Sequence, residues 1–165
     1  LDHIAGIRAQ RELIESVQEG EKAIAAEKYG EAESILGRAL VRNPDDYTAL
    51  LLMAKCQLVL DKPGEAERHA DAAHQVYPEE PQALQVRGVA RLRGGRYAAA
   101  YADFAAYASV LPGNPNTTFY QGFSLEKMGR RDESARRYSE YLNVVQQGEK
   151  AAYAAGRLRE WGYLR

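Results

Sequence analysis

Apolar residues in this chain recur at helical spacing. In YAAAYADFAAYASVL, Tyr97, Tyr101, Phe104 and Tyr107 stand four, three and three residues apart, one stripe on a helix face. PQALQVRGVARLRG predicts a helix before it, and Gly94 and Gly95 predict the turn between the two. No run alternates apolar with polar and no Asn-Gly pair offers a hairpin, so the expected class is all-α. The helices meet hard stops. In LPGNPNTTFYQG, Leu111 ends one helix, Asn114 caps the next and Pro115 takes its first position. Pro63, after Asp61 and Lys62, starts another. Pro44, Pro78 and Pro112 stand 34 and 34 residues apart, so the stops belong to a repeat.

Stacking the chain on that period gives blocks 13–46, 47–80, 81–114 and 115–148 without a gap, plus a half block 149–165. The eighth place of each block reads Gly20, Ala54, Gly88, Gly122 and Gly156. Twelve residues on it reads Ala32, Ala66, Ala100 and Ser134, and four further Leu36, Ala70, Phe104 and Tyr138. Glycine inside a helix costs about 1 kcal/mol against alanine. Four at one register imply close approach of a neighbouring helix, with the small residues twelve places later as its other side. Before Gly20 only Gly6 interrupts the pattern, which predicts one long first helix that overhangs the array, with Asp2 as its cap. At the other end a capping helix over 149–162 would turn Ala151, Ala155 and Leu158 inward and Arg157, Arg159 and Glu160 to water. The last block has Gln146 where the others have proline, so its second helix is expected to run on.

These columns resemble the tetratricopeptide repeat, a family with small, alanine, large apolar, small and proline residues in these places. Gly20, Ala32, Leu36, Ala39 and Pro44 match it in the first block. Tyr107 and Tyr141 depart from it where a small residue is usual, as do Glu19, Arg87 and Gln121 where an apolar one is. The resemblance implies a single domain over 1–165, a right-handed superhelical array of about 4.5 helix-turn-helix repeats behind an N-terminal extension 1–12. It also implies a concave groove lined by the first helix of each repeat. Carried onto this chain, the partner-binding residues are Leu51, Lys55, Leu58, Gln85, Val89, Arg93, Asn116, Phe119, Phe123 and Lys127. So apolar a lining suits an amphipathic helix or an extended apolar segment of a protein partner. Chaperone-tail adaptors of this family grip a terminal carboxylate with Lys and Asn in the first repeat; Val17 and Glu21 stand there, which argues against that clamp. The terminal segments are also similar to bacterial zinc metalloproteases that carry such repeats. That alternative makes the chain a substrate-guiding or regulatory domain whose catalytic part lies elsewhere.

Chemistry changes this picture little. No GxxxxGK[ST], GxSxG or HExxH occurs, so no catalytic site, metal or cofactor is expected. His69 and His74, five apart, do not share a helix face and read as solvated. Cys56, the single cysteine, reads as a small buried hydrophobe. Asp45, Asp46, Glu79 and Glu80 sit at helix starts, where acids favour the macrodipole. Among the 165 residues, 45% are hydrophobic and 27% charged, which places the chain with globular proteins. The net charge of −1 offers no general attraction for nucleic acid, and no apolar run approaches the ~18 residues of a membrane span. The charge is uneven: 9 basic and 16 acidic residues over 1–80 give −7, whereas 13 and 7 over 81–165 give +6. A bipolar array of this kind favours oriented partners or head-to-tail self-association. The chain begins at Leu1 rather than Met and is expected to be a piece of a longer product; the sequence sets no compartment, and the metalloprotease resemblance implies a bacterial one, cytoplasm or periplasm and cell envelope.

Overall fold

The computed structural model describes residues 1–165 as nine helices without a strand. They are α1 (Asp2–Ala25), α2 (Tyr29–Arg42), α3 (Tyr47–Val59), α4 (Pro63–Val76), α5 (Gln82–Arg93), α6 (Tyr97–Val110), α7 (Pro115–Lys127), α8 (Arg131–Val144) and α9 (Glu149–Glu160). Two compact units divide the chain, Leu1–Ala90 and Arg91–Arg165, with the boundary inside α5.

The turns follow the repeat. Glu27 and Asp61 have φ of 58° and 57°, and Gly95 and Gly129 have 78° and 75°. These four stand 34 residues apart, each just past the first helix of its repeat. In every case the next amide reaches back five residues: Lys28 to Ala23, Lys62 to Gln57, Arg96 to Arg91 and Arg130 to Leu125, at 2.8, 2.8, 2.8 and 2.9 Å. This closes the helix end with a left-handed residue, which glycine takes freely and Glu27 and Asp61 take at a cost. The opposite turns use caps. The Asp46 carboxylate accepts from the Ala49 amide at 2.8 Å, and the Asn114 side-chain oxygen accepts from the Asn116 amide at 3.0 Å with Pro115 at the first position.

Three expectations at the ends are corrected. Asp2 lies in the first turn of α1 without capping it; Leu1 holds the cap place and its apolar side chain makes no cap bond. α8 stops at Val144 although no proline follows, because the chain turns extended at Val145 and then through Gly148 at φ 100°. In α9 the buried alanines are Ala151 and Ala154, three apart on one face, and Ala155 is only half-buried.

Within each unit a helix packs on its chain neighbours. In the first unit Ala23, Ala32, Leu36, Ala49, Met53 and Cys56 form one cluster, and Leu50, Leu51, Ala54, Ala70, Ala73, Ala83 and Val86 a second. In the second unit the core is aromatic: Phe119, Tyr138 and Tyr141 with Ala135, Ala151, Ala154 and Leu158. The glycine column explains the helix spacing. A Cβ on Gly20 would lie 2.7 Å from Leu36, and one on Gly122 2.8 Å from Tyr138. The partner of the glycine is thus the large residue sixteen places on. The residue twelve places on adds a bond at one repeat, where the Ser134 hydroxyl donates to the Gly122 carbonyl at 2.7 Å. Where the large residue shrinks to Ala70, the glycine is replaced by Ala54, and both are fully buried in one cluster. The eighth place carries a Cβ only where the residue sixteen places on is small, so the pair avoids a clash.

Gly122→Ala is therefore expected to destabilise the protein by about 1–3 kcal/mol in urea unfolding, through overpacking against Tyr138. Gly20→Ala is expected to cost clearly less in a Leu36→Ala background than alone; equal costs in both backgrounds would remove the clash explanation.

Candidate functional site

The expected recognition residues all lie on the first helix of a repeat, but they differ in what they offer. In the first unit Lys55 is exposed on α3, while Leu58, Gln85 and Val89 are half-buried. Leu51 is only 6% exposed and belongs to the packed cluster with Leu50 and Ala54. Beside it, Thr48 and Asp46 face Ile14 and Val17 of α1 across a cleft of about 160 Å³. In the second unit Arg93, Asn116 and Lys127 are exposed and Phe123 is half-buried. Phe119 is 7% exposed and packs inside the aromatic cluster. Leu51 and Phe119 thus each lie beneath the exposed residues of their own helix.

The second unit carries the more developed face, and part of it was missed in sequence. The place that holds Asn116 holds Lys150 one period later, and likewise Phe119 is followed by Tyr153 and Phe123 by Arg157. Extending the groove columns into the half block would have found them. The structure stacks these equivalent residues across α7 and α9. Lys150 Nζ donates to Asn116 Oδ1 at 2.9 Å and lies 4.8 Å from the Tyr120 ring centre. The Tyr153 ring stands 6.1 Å from Phe119 and 5.7 Å from Phe123. Lys127 Nζ lies 5.1 Å above Phe123. The result is an aromatic shelf bordered by two ammonium groups, each over a ring face that attracts cations.

Glu126 fixes the geometry. Its side chain is 7% exposed and accepts from Tyr153 Oη at 2.6 Å and from Arg157 Nε. Arg157 also bonds Glu160 at 2.5 Å, so it ties α9 to α7 and does not simply face water as expected. A buried carboxylate needs such partners to remain charged. Burial, then the Glu126 hydrogen bond and charge, push the Tyr153 phenol up to about 12. Tyr138, more deeply buried and also near Glu126, is raised further.

No group of three or more His, Cys, Asp and Glu is arranged to hold a metal. The histidines are not simply solvated. His69 Nδ1 lies 2.7 Å from Gln57 Oε1, and His74 Nδ1 is buried without a partner. Cys56 is buried and its thiol is raised to about 11 by burial, then by the charge of Glu33. No helix is long and apolar enough to cross a membrane.

Comparison with known proteins places the fold. The family model described as Tetratricopeptide repeat matches residues 23–89. Among solved structures, a crystal structure of MamA superposes with TM-score 0.77 at 16% identity, covering 87% of this chain and 85% of that one. YrrB, a tetratricopeptide-repeat protein with an unusual peptide-binding site, gives 0.76 at 18%, covering 83% and 71%. The second such domain of human RPAP3, in complex with the HSP70 peptide SGPTIEEVD, gives 0.67 at 22%, covering 70% and 97%. No curated protein matches the chain.

Two outcomes are expected. Leu51→Glu and Phe119→Glu each bury an unpaired charge and should cost at least about 3 kcal/mol in urea unfolding, whereas exposed Lys55→Glu should stay within about 0.5 kcal/mol. Tyr153 ionises more readily unfolded, near 10, than folded, near 12, so its contribution is intact below pH 10 and lost as pH rises toward about 12. A stability–pH curve of Tyr153→Phe should accordingly fall less over that window than wild type.

Proposed function

We propose that this chain, an all-α array built on the tetratricopeptide-repeat fold, is a protein–peptide recognition module without catalysis of its own. In this reading residues 1–165 act as one recognition domain. The α7/α9 face takes an extended segment in which acidic side chains flank an apolar or aromatic one. The observation that carries the reading is the shelf itself: Phe123 and Tyr153 in ring contact, with Lys127 and Lys150 at its edges. An apolar side chain would lie on the rings, and carboxylates would meet the ammonium groups, which set orientation and association rate. Peptide binding by YrrB and RPAP3 supports the reading, and the RPAP3 ligand SGPTIEEVD places acids beside Ile and Val. Val17 and Glu21 provide no terminal-carboxylate grip in the first repeat, so the segment is read as internal to its protein.

Titration calorimetry with a synthetic peptide of alternating acidic and apolar residues tests this. Lys127→Ala and Lys150→Ala should each weaken binding by about three- to tenfold and flatten its salt dependence, and Tyr153→Ala by about tenfold or more. Helix content by circular dichroism should be unchanged. Wild-type affinity in all three variants would rule the shelf out.

A further inference from the structure

Two ammonium groups border the rings of the α7/α9 face, and the structure fixes how far apart they stand. Lys150 Nζ is held at the N-terminal end of α7, bonded to Asn116 Oδ1 and 5.9 Å from the Phe119 ring centre. Lys127 is the last residue of α7, and its side chain runs back one turn to place Nζ over Phe123. The Lys127 charge therefore stands between the level of Phe123 and that of its own backbone. From Asn116 those two levels are seven and eleven residues away, about 10 and 17 Å of helix. Tyr153 touches both rings, Phe119 beside Lys150 and Phe123 beside Lys127, so it lies between the charges, and it is 37% exposed. Lys150 bonds an amide oxygen and Lys127 a ring face, so both charges stay open to carboxylates. Glu126 does not compete for them, because it is buried and held by Tyr153 and Arg157.

We propose that this face measures a segment: it takes an extended stretch with two acids four residues apart and one apolar side chain midway, in the pattern acid-x-apolar-x-acid. The inference rests on the reading of α7/α9 as the face for an extended segment and names the spacing that it selects. In an extended chain residues i, i+2 and i+4 point to one side, and i to i+4 covers about 13 Å. That length falls within the separation of the two lysines. One carboxylate then meets each ammonium, and the middle side chain lies on Tyr153 and Phe123. Acids two apart cover about 7 Å and acids six apart about 20 Å, so each of these engages one lysine at a time. Acids three or five apart point to opposite sides of the strand. Coiled into a helix, the same four-residue step shrinks to about 6 Å and also misses one lysine. The two x positions face away from the shelf and set no requirement. Two acids on one segment act jointly, since the first contact raises the effective concentration of the second.

Titration calorimetry of the whole chain tests this with end-blocked synthetic peptides that contain two glutamates and one leucine in an otherwise uncharged sequence. The glutamates stand two, four or six residues apart, and in the four-apart peptide the leucine is midway. The four-apart peptide should bind about tenfold or more tightly than the other two at low salt. Lys127→Ala and Lys150→Ala should each abolish that preference, because one ammonium cannot tell the spacings apart. Proline at an x position excludes a helix and should leave the affinity of the four-apart peptide within about threefold. Equal binding at all three spacings, a tighter peptide at two or six, or a preference that survives both lysine variants overturns the proposal. So does loss of binding on proline substitution. If the three peptides bind alike and all weaken with Tyr153→Ala, only the spacing falls. If none binds the wild type, the recognition reading falls with it.

Discussion

The close approach of the first helix of a repeat to the second sets the rest of this structure. At Gly20 and Gly122 there is no room for even a methyl group, because Leu36 and Tyr138 already fill the space. The helix axes are therefore near enough for the small residues around them to be fully buried, Ala32 at one site and Ser134 at the other. Ala54 with Ala70 reaches the same end with two methyl groups. What recurs is that one of the two facing positions is always small, and each repeat meets that condition with its own pair.

The two units then diverge in what they place outside that contact. The first fills its core with alanine and aliphatic side chains and surrounds itself with acids. The second fills its core with tyrosine and phenylalanine, and rings too large for the interior spill onto the α7/α9 face. Tyr107 and Tyr141, which depart from the small residue usual in their column, are both buried. The Asn114 side-chain amide donates to the Tyr107 hydroxyl at 3.1 Å, and Tyr141 lies 5.3 Å from Phe119. The aromatic shelf is in this sense the outer layer of an aromatic core. Core and face share side chains there, so Phe119 supports the surface without being part of it.

Polar groups hold that face in shape. Glu126 sits among rings where a lone carboxylate would be costly, and it is tolerated because Tyr153 and Arg157 both donate to it. The same bonds fasten α9, which has only α8 and α7 to lean on. Lys127 and Lys150 remain at the edges, over ring faces that attract cations.

The sequence by itself determined the helices, their 34-residue period, the cap at Asn114 and the glycine positions, because each of these is local or periodic. It also placed the candidate residues on one side of the first helix of each repeat, since register alone decides which side of a helix a residue occupies. Only the tertiary structure decided depth. Leu51 and Phe119 share a face with Lys55 and Lys127, yet the first pair is buried and the second exposed. The period could not show that difference, because burial depends on how near the neighbouring helix comes. Nor could it show that Glu126 and Arg157, thirty-one residues apart, meet. The end of α8 at Val144 and the inward turn of Ala154 were likewise set by where α9 had to pack, a constraint that no pattern within either helix contains.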